Sequence, residues 1–430
     1  MFKFKPNDRV VIIGGGFAGL QFIKTLKNKP IRITLIDKHN YHSFQPLLYQ
    51  VASARIEPSN ISFPFRKLFQ GYKNFDFRMA DVEYVDSLQK TVITNTGNIK
   101  YDHLVVATGC TTNFFGNEDM KKHSLPMKEM TDAIEIRNRI LKDFEKYSIA
   151  TADEKEKLLN IVIVGAGPTG VELSGAFAEL KNDILPKDYP KVDFSGLDIY
   201  LLEGESHTLS NMSNESKKMS QKYLEELGVR VKTNVRLKSY DGDNAVLSTG
   251  ETIPCKNLIW SAGVTGNILE GITSKENIVR NRYAVDRYNL VKDTESIYAL
   301  GDIAYMETPN YPKGHPQVAN VAINQGKNLA KNIIRSLQGK SLIEYTYKDL
   351  GMMATIGKNK AVVDLKPIRF QGFFAWAVWM LLHLMLILSV RNKLIIFINW
   401  AWAYITKDTS LRLIFNPRDS KKNIQLQSME

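Results

Sequence analysis

At 430 residues the chain is too long for one small domain and fits two or three compact units. Hydrophobic residues at 44% and charged residues at 24% are ordinary for a globular enzyme, which excludes a disordered chain or a polytopic membrane protein. A net charge of +12 and a pI near 9.3 suit nucleic acid or an anionic lipid surface. Cys110 and Cys255, the only cysteines, are too few for a disulfide framework and stand in no metal-ligand spacing, so a reducing compartment and no metal site are expected.

Met1 to Arg9 is charged and has no apolar leader run, so no export is expected. Arg9 to Ile13 reads as a strand, followed by Gly14-Gly15-Gly16-Phe17-Ala18-Gly19 and a helical stretch to Lys29. In this strand–turn–helix order Gly14 permits the tight turn, Gly16 lets the backbone approach a pyrophosphate, and Gly19 allows close helix packing. The anion then sits on the helix N-terminus. A second strand, Ile31 to Ile36, leads into Asp37, placed to accept from both ribose hydroxyls.

The pattern returns at Asn160 to Val164, with Gly165-Ala166-Gly167-Pro168-Thr169-Gly170 opening another helix. The next strand, Asp198 to Leu202, ends at Glu203, an acid that would hold the adenosine ribose and repel a 2′-phosphate, favouring NADH over NADPH. The added length between Gly170 and Glu203 reads as a longer helix and a loop over Lys181 to Gly196. Asn214 to Leu227 then reads as a helix, with strands at Val229 to Val235 and Asn244 to Leu247. Two dinucleotide sites in one chain suit FAD plus NADH, because nicotinamide moves only hydride whereas flavin releases electrons singly or in pairs.

Further segments carry a family pattern: Tyr101 to Gly109, ending Ala107-Thr108-Gly109; Leu258 to Gly263; Ala299-Leu300-Gly301-Asp302; and the loop His42 to Ala52, with Pro46 and Gln50. Together they resemble, over nearly the whole chain, the two-dinucleotide-binding flavoproteins and specifically the type II, non-proton-pumping NADH:quinone oxidoreductases. The resemblance implies that Pro46, Thr108, Gly109, Gly301 and Asp302 belong to the FAD site, and that Glu172 is the acid near the nicotinamide and flavin rings. It also implies a quinone contact at Gln50 and at the helix start Gln317 to Gly326. The family's Ala-Gln-x-Ala-x-Gln there reads Ala319-Asn320-Val321-Ala322-Ile323-Asn324, so both glutamines are asparagines, which keep the amide but lose a methylene of reach. Read without the resemblance, Glu172 is equally a helix-start carboxylate favoured by the dipole.

No cysteine precedes Cys110, which excludes the Cys-x4-Cys pair of disulfide reductases. A sulfide:quinone oxidoreductase using Cys110 and Cys255, and a non-catalytic nucleotide-binding redox sensor, are the alternatives.

From Gly372 to Val390 no residue is charged, and nineteen residues just reach across a bilayer. A second apolar run, Leu394 to Ile405, is too short to cross. A single crossing would place Arg391, Lys393, Lys407, Arg412, Arg418, Lys421 and Lys422 outside, against the positive-inside tendency. Two interfacial helices, with Trp400, Trp402 and Tyr404 at headgroup level and the basic residues on anionic lipid, are preferred to a transmembrane segment at 372–390, with a dimer interface third. Lipid accounts for the positive charge, and no nucleic-acid motif occurs.

The expected fold is α/β, with two Rossmann-like dinucleotide-binding domains followed by C-terminal membrane-associating helices. The FAD domain is discontinuous (1–115 and 285–350), the NADH domain (116–284) is inserted, and 351–430 forms the membrane segment. The partners are NADH, a membrane quinone and the bilayer surface on the cytoplasmic face of the cell membrane, and the resemblance implies a homodimer.

Overall fold

The structure, a computed structural model, describes residues 4–409 and 411–414. Arg418, Lys421 and Lys422, expected above to meet lipid, lie outside the described residues.

The chain begins with β1 (Arg9–Ile13), α1 (Phe17–Thr25), β2 (Arg32–Asp37), α2 (Leu48–Ala52), β3 (Phe75–Met79) and β4 (His103–Val106). There follow β5 (Leu125–Pro126), β6 (Ile161–Val164), α3 (Pro168–Glu179), β7 (Ile199–Leu202), β8 (Val229–Lys232), β9 (Asn257–Trp260), β10 (Ile297–Ala299) and α4 (Ala319–Leu337). The C-terminal part is β11 (Met352–Gly357), β12 (Lys360–Asp364), β13 (Arg369–Gln371), α5 (Phe373–Leu386) and α6 (Val390–Thr406).

These elements fall into two compact units. Of the described residues, the first takes 4–44, 62–113 and 263–350; the second takes 45–61, 114–262, 351–409 and 411–414. The first unit is built on a parallel sheet in the order β10-β4-β1-β2-β3. Val10, Ile12, Leu35, Leu104 and Val105 are fully buried within it, as expected for short aliphatic strands covered on both faces. An antiparallel meander, Val82–Asp86, Thr91–Thr94 and Ile99–Lys100, is inserted before β4.

The second unit repeats the plan. Its parallel sheet runs β5-β9-β6-β7-β8, and a second meander, Leu237–Tyr240, Asn244–Leu247 and Thr252–Pro254, precedes β9. Each wholly buried Val or Ile of β6 contributes about 1.5–3 kcal/mol, an upper figure because the unfolded chain already buries some apolar surface. The stretch 181–196, read as a longer helix and loop, forms a π-turn (Leu180–Ile184) and a short helix (Leu185–Asp188) before the chain turns to β7.

An antiparallel sheet, β11-β12-β13, leads to the final helices. Gly175 of α3 lies so near the Ile356 carbonyl that any Cβ would strike it, so β11 runs directly over α3. The run 372–390 is not one helix: α5 stops at Leu386, Ile387 turns to an extended conformation, and α6 starts at Val390. Fourteen residues of α5 rise about 21 Å, short of the roughly 30 Å of a hydrocarbon core. Among the described residues no helix is long and apolar enough to cross a membrane, which corrects the transmembrane alternative at 372–390.

Candidate functional site

The first glycine turn has the geometry its sequence demands. Gly14 has φ +103°, and a Cβ on it would strike the Ala107 carbonyl; one on Gly19 would strike the Gly14 carbonyl. Gly16 instead faces open space, and no side chain caps α1, so its first-turn amides are free to meet an anion. Asp37 is held against the turn, accepting from the Gly15 amide at 2.7 Å and the His39 amide at 2.8 Å. Burial raises the Asp37 carboxyl above its usual range, and the two amides oppose that rise. His42 Nδ1 lies 2.9 Å from the Gly15 carbonyl, and burial pushes the ring down to about 4, so it is neutral and donates there. Its buried Nε2 makes no hydrogen bond.

Around the same turn, Thr108 donates to the Asn267 carbonyl at 2.8 Å, and Gly109 has φ +66°. Gly301, at φ +74°, donates its amide to Gln325 Oε1 at 2.7 Å, which fixes the short turn bearing Asp302. Gln317 donates to the Asp302 carbonyl at 3.0 Å. A Cβ on Gly326 would strike the Ala18 carbonyl, so α4 crosses α1 in close contact. Ala319, Asn320 and Asn324 occupy the first turns of α4. The two asparagine amides are committed within the protein: Asn324 Nδ2 donates to Asn320 Oδ1 at 2.6 Å, and Asn320 Nδ2 donates to the Lys348 carbonyl at 2.9 Å.

The second unit uses the same device. Gly165, at φ +99°, leaves no room for a Cβ against Ala262, Gly170 abuts the Gly165 carbonyl, and Gly167 faces open space at the uncapped start of α3. Glu203 accepts from the Ala166 amide at 2.7 Å and the Glu205 amide at 2.9 Å, as Asp37 does in the first unit.

Farther along α3, Glu172 lies in a cavity of about 100 Å³ lined also by Tyr49, Gln50, Glu179, Thr355, Trp379 and Trp400. Burial raises the Glu172 carboxyl to about 8. The Thr355 amide, 3.5 Å away, opposes this, as does Trp379, although Trp379 Nε1 makes no hydrogen bond of ordinary geometry. Its place inside the cavity, in the second turn of the helix, removes the reading of Glu172 as a helix-start carboxylate. Trp400 Nε1 donates to Gln50 Oε1 at 2.8 Å, and Gln50 Nε2 donates to the Tyr49 hydroxyl at 2.8 Å. Burial first, and the nearby Glu172 second, hold the Tyr49 phenol well above its usual range.

Of the three residues expected at headgroup level, Trp400 alone departs from that reading. Trp379 is 1% exposed and Trp400 9%, both facing the cavity, whereas Trp402 and Tyr404 are exposed. Two of the basic residues expected on lipid are engaged by acids instead: Arg412 by Asp188 and Asp408, and Lys407 by Asp183 at 3.3 Å. A reading of these apolar runs as membrane surface assigns Trp379 and Trp400 to lipid and so misses their place in the cavity wall. The available signal was the four-residue spacing Ala375, Trp379, His383 and Asn392, Ile396, Trp400, which places the polar His383 and Asn392 on the buried faces.

Neither cysteine is poised for sulfide chemistry. Cys110 Sγ donates to Asp302 Oδ2 at 2.9 Å, and Cys255 is buried with its thiol pushed up to about 12.

Two glycine cradles, each closed by an acid, on two parallel sheets define a class of oxidoreductase that handles two dinucleotides. The family model described as "Pyridine nucleotide-disulphide oxidoreductase" matches residues 8–326, and that described as "NDH2 C-terminal domain" matches residues 350–407. Two Mycobacterium tuberculosis proteins are similar to the chain: "Type II NADH:quinone oxidoreductase Ndh", 31% identical over 93% of this chain and 89% of its own, and "Type II NADH:quinone oxidoreductase NdhA", 32% identical over 93% and 87%. The chain belongs to the type II NADH:quinone oxidoreductase family. The fold agrees: NDH2 from Plasmodium falciparum in complex with NADH superposes with a TM-score of 0.86 at 22% identity, covering 95% of this chain and 100% of that one. A sulfide:quinone oxidoreductase from Aquifex aeolicus has a TM-score of 0.70 at 20% identity, over 94% and 96%.

Proposed function

We propose that this chain oxidises NADH and reduces a quinone through bound FAD, without pumping protons, and that the residues above divide the work as follows. In the first unit Gly14, Gly16 and Gly19 admit the FAD pyrophosphate to the start of α1, Asp37 holds the adenosine ribose, and Asp302 with Gly301 holds the ribityl and phosphate region. Pro46, Thr108 and Gly109 shape the flavin surroundings. The open space at Gly16 and the uncapped α1 fit this cofactor. In the second unit Gly165, Gly167 and Gly170 admit NADH, and Glu203 holds its ribose and repels a 2′-phosphate.

When bound, FAD supplies a two-electron relay between a hydride donor and a quinone. The chain's contribution is positioning and proton supply. Glu172, protonated at neutral pH because it is buried, stands ready to give a proton to a quinone oxygen. Gln50, oriented by Trp400, offers an amide to the quinone ring. Gln317, Ala319, Asn320 and Asn324 are proposed as quinone-side residues of α4, where the helix dipole favours negative charge.

One observation carries this reading: the same acid-closed glycine cradle is built twice in one chain, and the second opens an α3 that carries a buried, proton-holding carboxyl. The test is NADH oxidation by the purified, detergent-solubilised chain with and without a short-chain quinone, while flavin absorbance is followed. Bleaching by NADH, with turnover only when quinone is added, is expected; a flavin bleached by sulfide and not by NADH would overturn it.

The membrane reading rests on the outer faces of α5 and α6. Phe373, Phe374, Leu381, Met385, Leu394, Phe397, Ile398 and Ile405 are all exposed there. So many exposed apolar side chains on two successive helices favour burial in the headgroup and acyl boundary of the cytoplasmic leaflet, where NADH is available. A homodimer is proposed from the family resemblance.

A further inference from the structure

The acid end of the second cradle is built from more than Glu203. After β8 the chain turns at Asn234, whose φ of +57° is one that asparagine tolerates, and comes back against the loop that bears the acid. The Asn234 amide donates to the Glu205 carbonyl and the Val235 amide to the Glu203 carbonyl, each at 2.9 Å. From the other side, the Arg236 amide donates to Ser248 Oγ at 3.1 Å, and the Ser248 amide donates to the Arg236 carbonyl at 2.8 Å. The root of the Arg236 side chain is therefore fixed between the acid's loop and the meander.

The arm of Arg236 lies across Gly204, the residue after Glu203. A Cβ placed on Gly204 would sit 3.1 Å from Arg236 Nε and 3.2 Å from Arg236 Cγ, so the missing side chain lets the arm lie flat. Adjacent Cα atoms are about 3.8 Å apart, which puts this cation beside the ribose acid. Its charge is uncommitted. Arg230 and Lys232 of β8 hold Asp198 at 2.6 Å and Glu251 at 2.8 Å, whereas among the described residues no carboxylate forms an ion pair with Arg236. The two Glu203 oxygens accept instead from the Ala166 and Glu205 amides. Arg236 is exposed, and so open to a ligand arriving from solvent.

A planar cation with five donors at the edge of a nucleotide site matches a phosphate bidentately. NADPH differs from NADH only by a phosphate on the adenosine 2′ oxygen, and that ribose is the one an acid at the end of the second strand meets. We propose that Arg236 is a second nucleotide-selecting residue, a cation that binds the 2′-phosphate of NADPH against the repulsion of Glu203. The inference rests on Glu203 being the acid at the adenosine ribose. Carboxylate and guanidinium act in opposite senses on one phosphate: Glu203 sets the preference for NADH, and Arg236 limits it, so the site is biased against NADPH and not closed to it.

The test compares the full flavin-loaded chain with Glu203→Gln, with Arg236→Ala, with both together, and with Arg236→Lys in the Glu203→Gln background. Calorimetric binding of adenosine 2′,5′-bisphosphate and of 5′-AMP reads the site without turnover, because the two probes differ only in the 2′-phosphate. The ratio of their affinities is expected to rise about tenfold in Glu203→Gln and to return to the parent value or below when Arg236→Ala is added. Arg236→Lys keeps the charge and loses the fork, so part of the rise should survive. In stopped flow, kcat/KM for NADPH relative to NADH, read as flavin bleaching, should follow the same order. A ratio that Arg236→Ala leaves unchanged in the Glu203→Gln background would overturn the role of Arg236 and leave Glu203 at the ribose. Equal loss of both probes there would also overturn it, since a residue that only shapes the loop cannot tell them apart. A ratio that Glu203→Gln does not raise would overturn the ribose reading, and the inference with it.

Discussion

Replacing Glu172 by glutamine is expected to stabilise the fold at neutral pH, and the gain should grow as pH rises. In the folded protein this carboxyl is raised from 4.5 to about 8, chiefly by burial. Its folded value lies above its unfolded one, so its contribution to stability is complete below about pH 4.5 and is lost as pH climbs through about 8. The loss amounts to about 3 kcal/mol at pH 7 and about 5 kcal/mol above pH 8. Those are upper figures, because relaxation around a buried charge softens the burial penalty. Glutamine fills the same volume, can still accept from the Thr355 amide and never ionises. Urea unfolding of parent and variant at pH 5.5, 7 and 8.5, both flavin-loaded in the same detergent, isolates the difference. A gain of about 1 kcal/mol at the lowest pH, rising by several kcal/mol at the highest, is expected. A pH-independent gain, or none, would refute the argument that burial of an ionisable Glu172 costs stability.

Other perturbations test separate parts of the molecule. Trp400→Phe removes the donor to Gln50 and leaves a buried amide oxygen unpaired, at about 1–3 kcal/mol; denaturant unfolding should show that loss, and KM for quinone should rise while bleaching by NADH holds. Gly14→Ala forces a Cβ into the Ala107 carbonyl at a positive φ, so the purified variant should lose its flavin, measured as the flavin-to-protein absorbance ratio. Glu203→Gln removes the charge that repels a 2′-phosphate, so kcat/KM for NADPH relative to NADH should rise about tenfold. Leu381→Asp combined with Ile398→Asp puts charge on exposed apolar faces, so co-sedimentation with anionic vesicles should fall at least tenfold while turnover with a water-soluble quinone stays within twofold.

Both nucleotide cradles were legible in the sequence because their demands are local. Gly14 and Gly165 need positive φ and close approach, and Asp37 and Glu203 stand at strand ends where the next chain turn must place them. The cavity was not legible in the same way. Its wall joins Gln50, Glu172, Thr355 and Trp400, which are far apart in sequence, and the aromatics that complete it sit in runs whose composition alone suits lipid. Gln50 and Glu172 are reached through the family resemblance, whereas Thr355 depends on the close packing of β11 over α3 at Gly175, and Trp379 and Arg55 come from segments distant in sequence. The substituted asparagines show the opposite case: in the sequence Asn320 and Asn324 stand out for their shorter reach, yet what distinguishes them is that their amides bind one another and the Lys348 carbonyl.

The split roles of α5 and α6 bear on how this protein can be handled. Trp379 and Trp400 close the cavity from inside, while Leu381 and Ile398 on the same helices face outward. Deleting these helices to gain solubility would open the Glu172 cavity to bulk water, and with it the low-dielectric setting that keeps that carboxyl protonated. Any amphiphile that loosens the two helices acts on the same wall, so the choice of detergent or lipid becomes a variable of the chemistry as well as of the preparation.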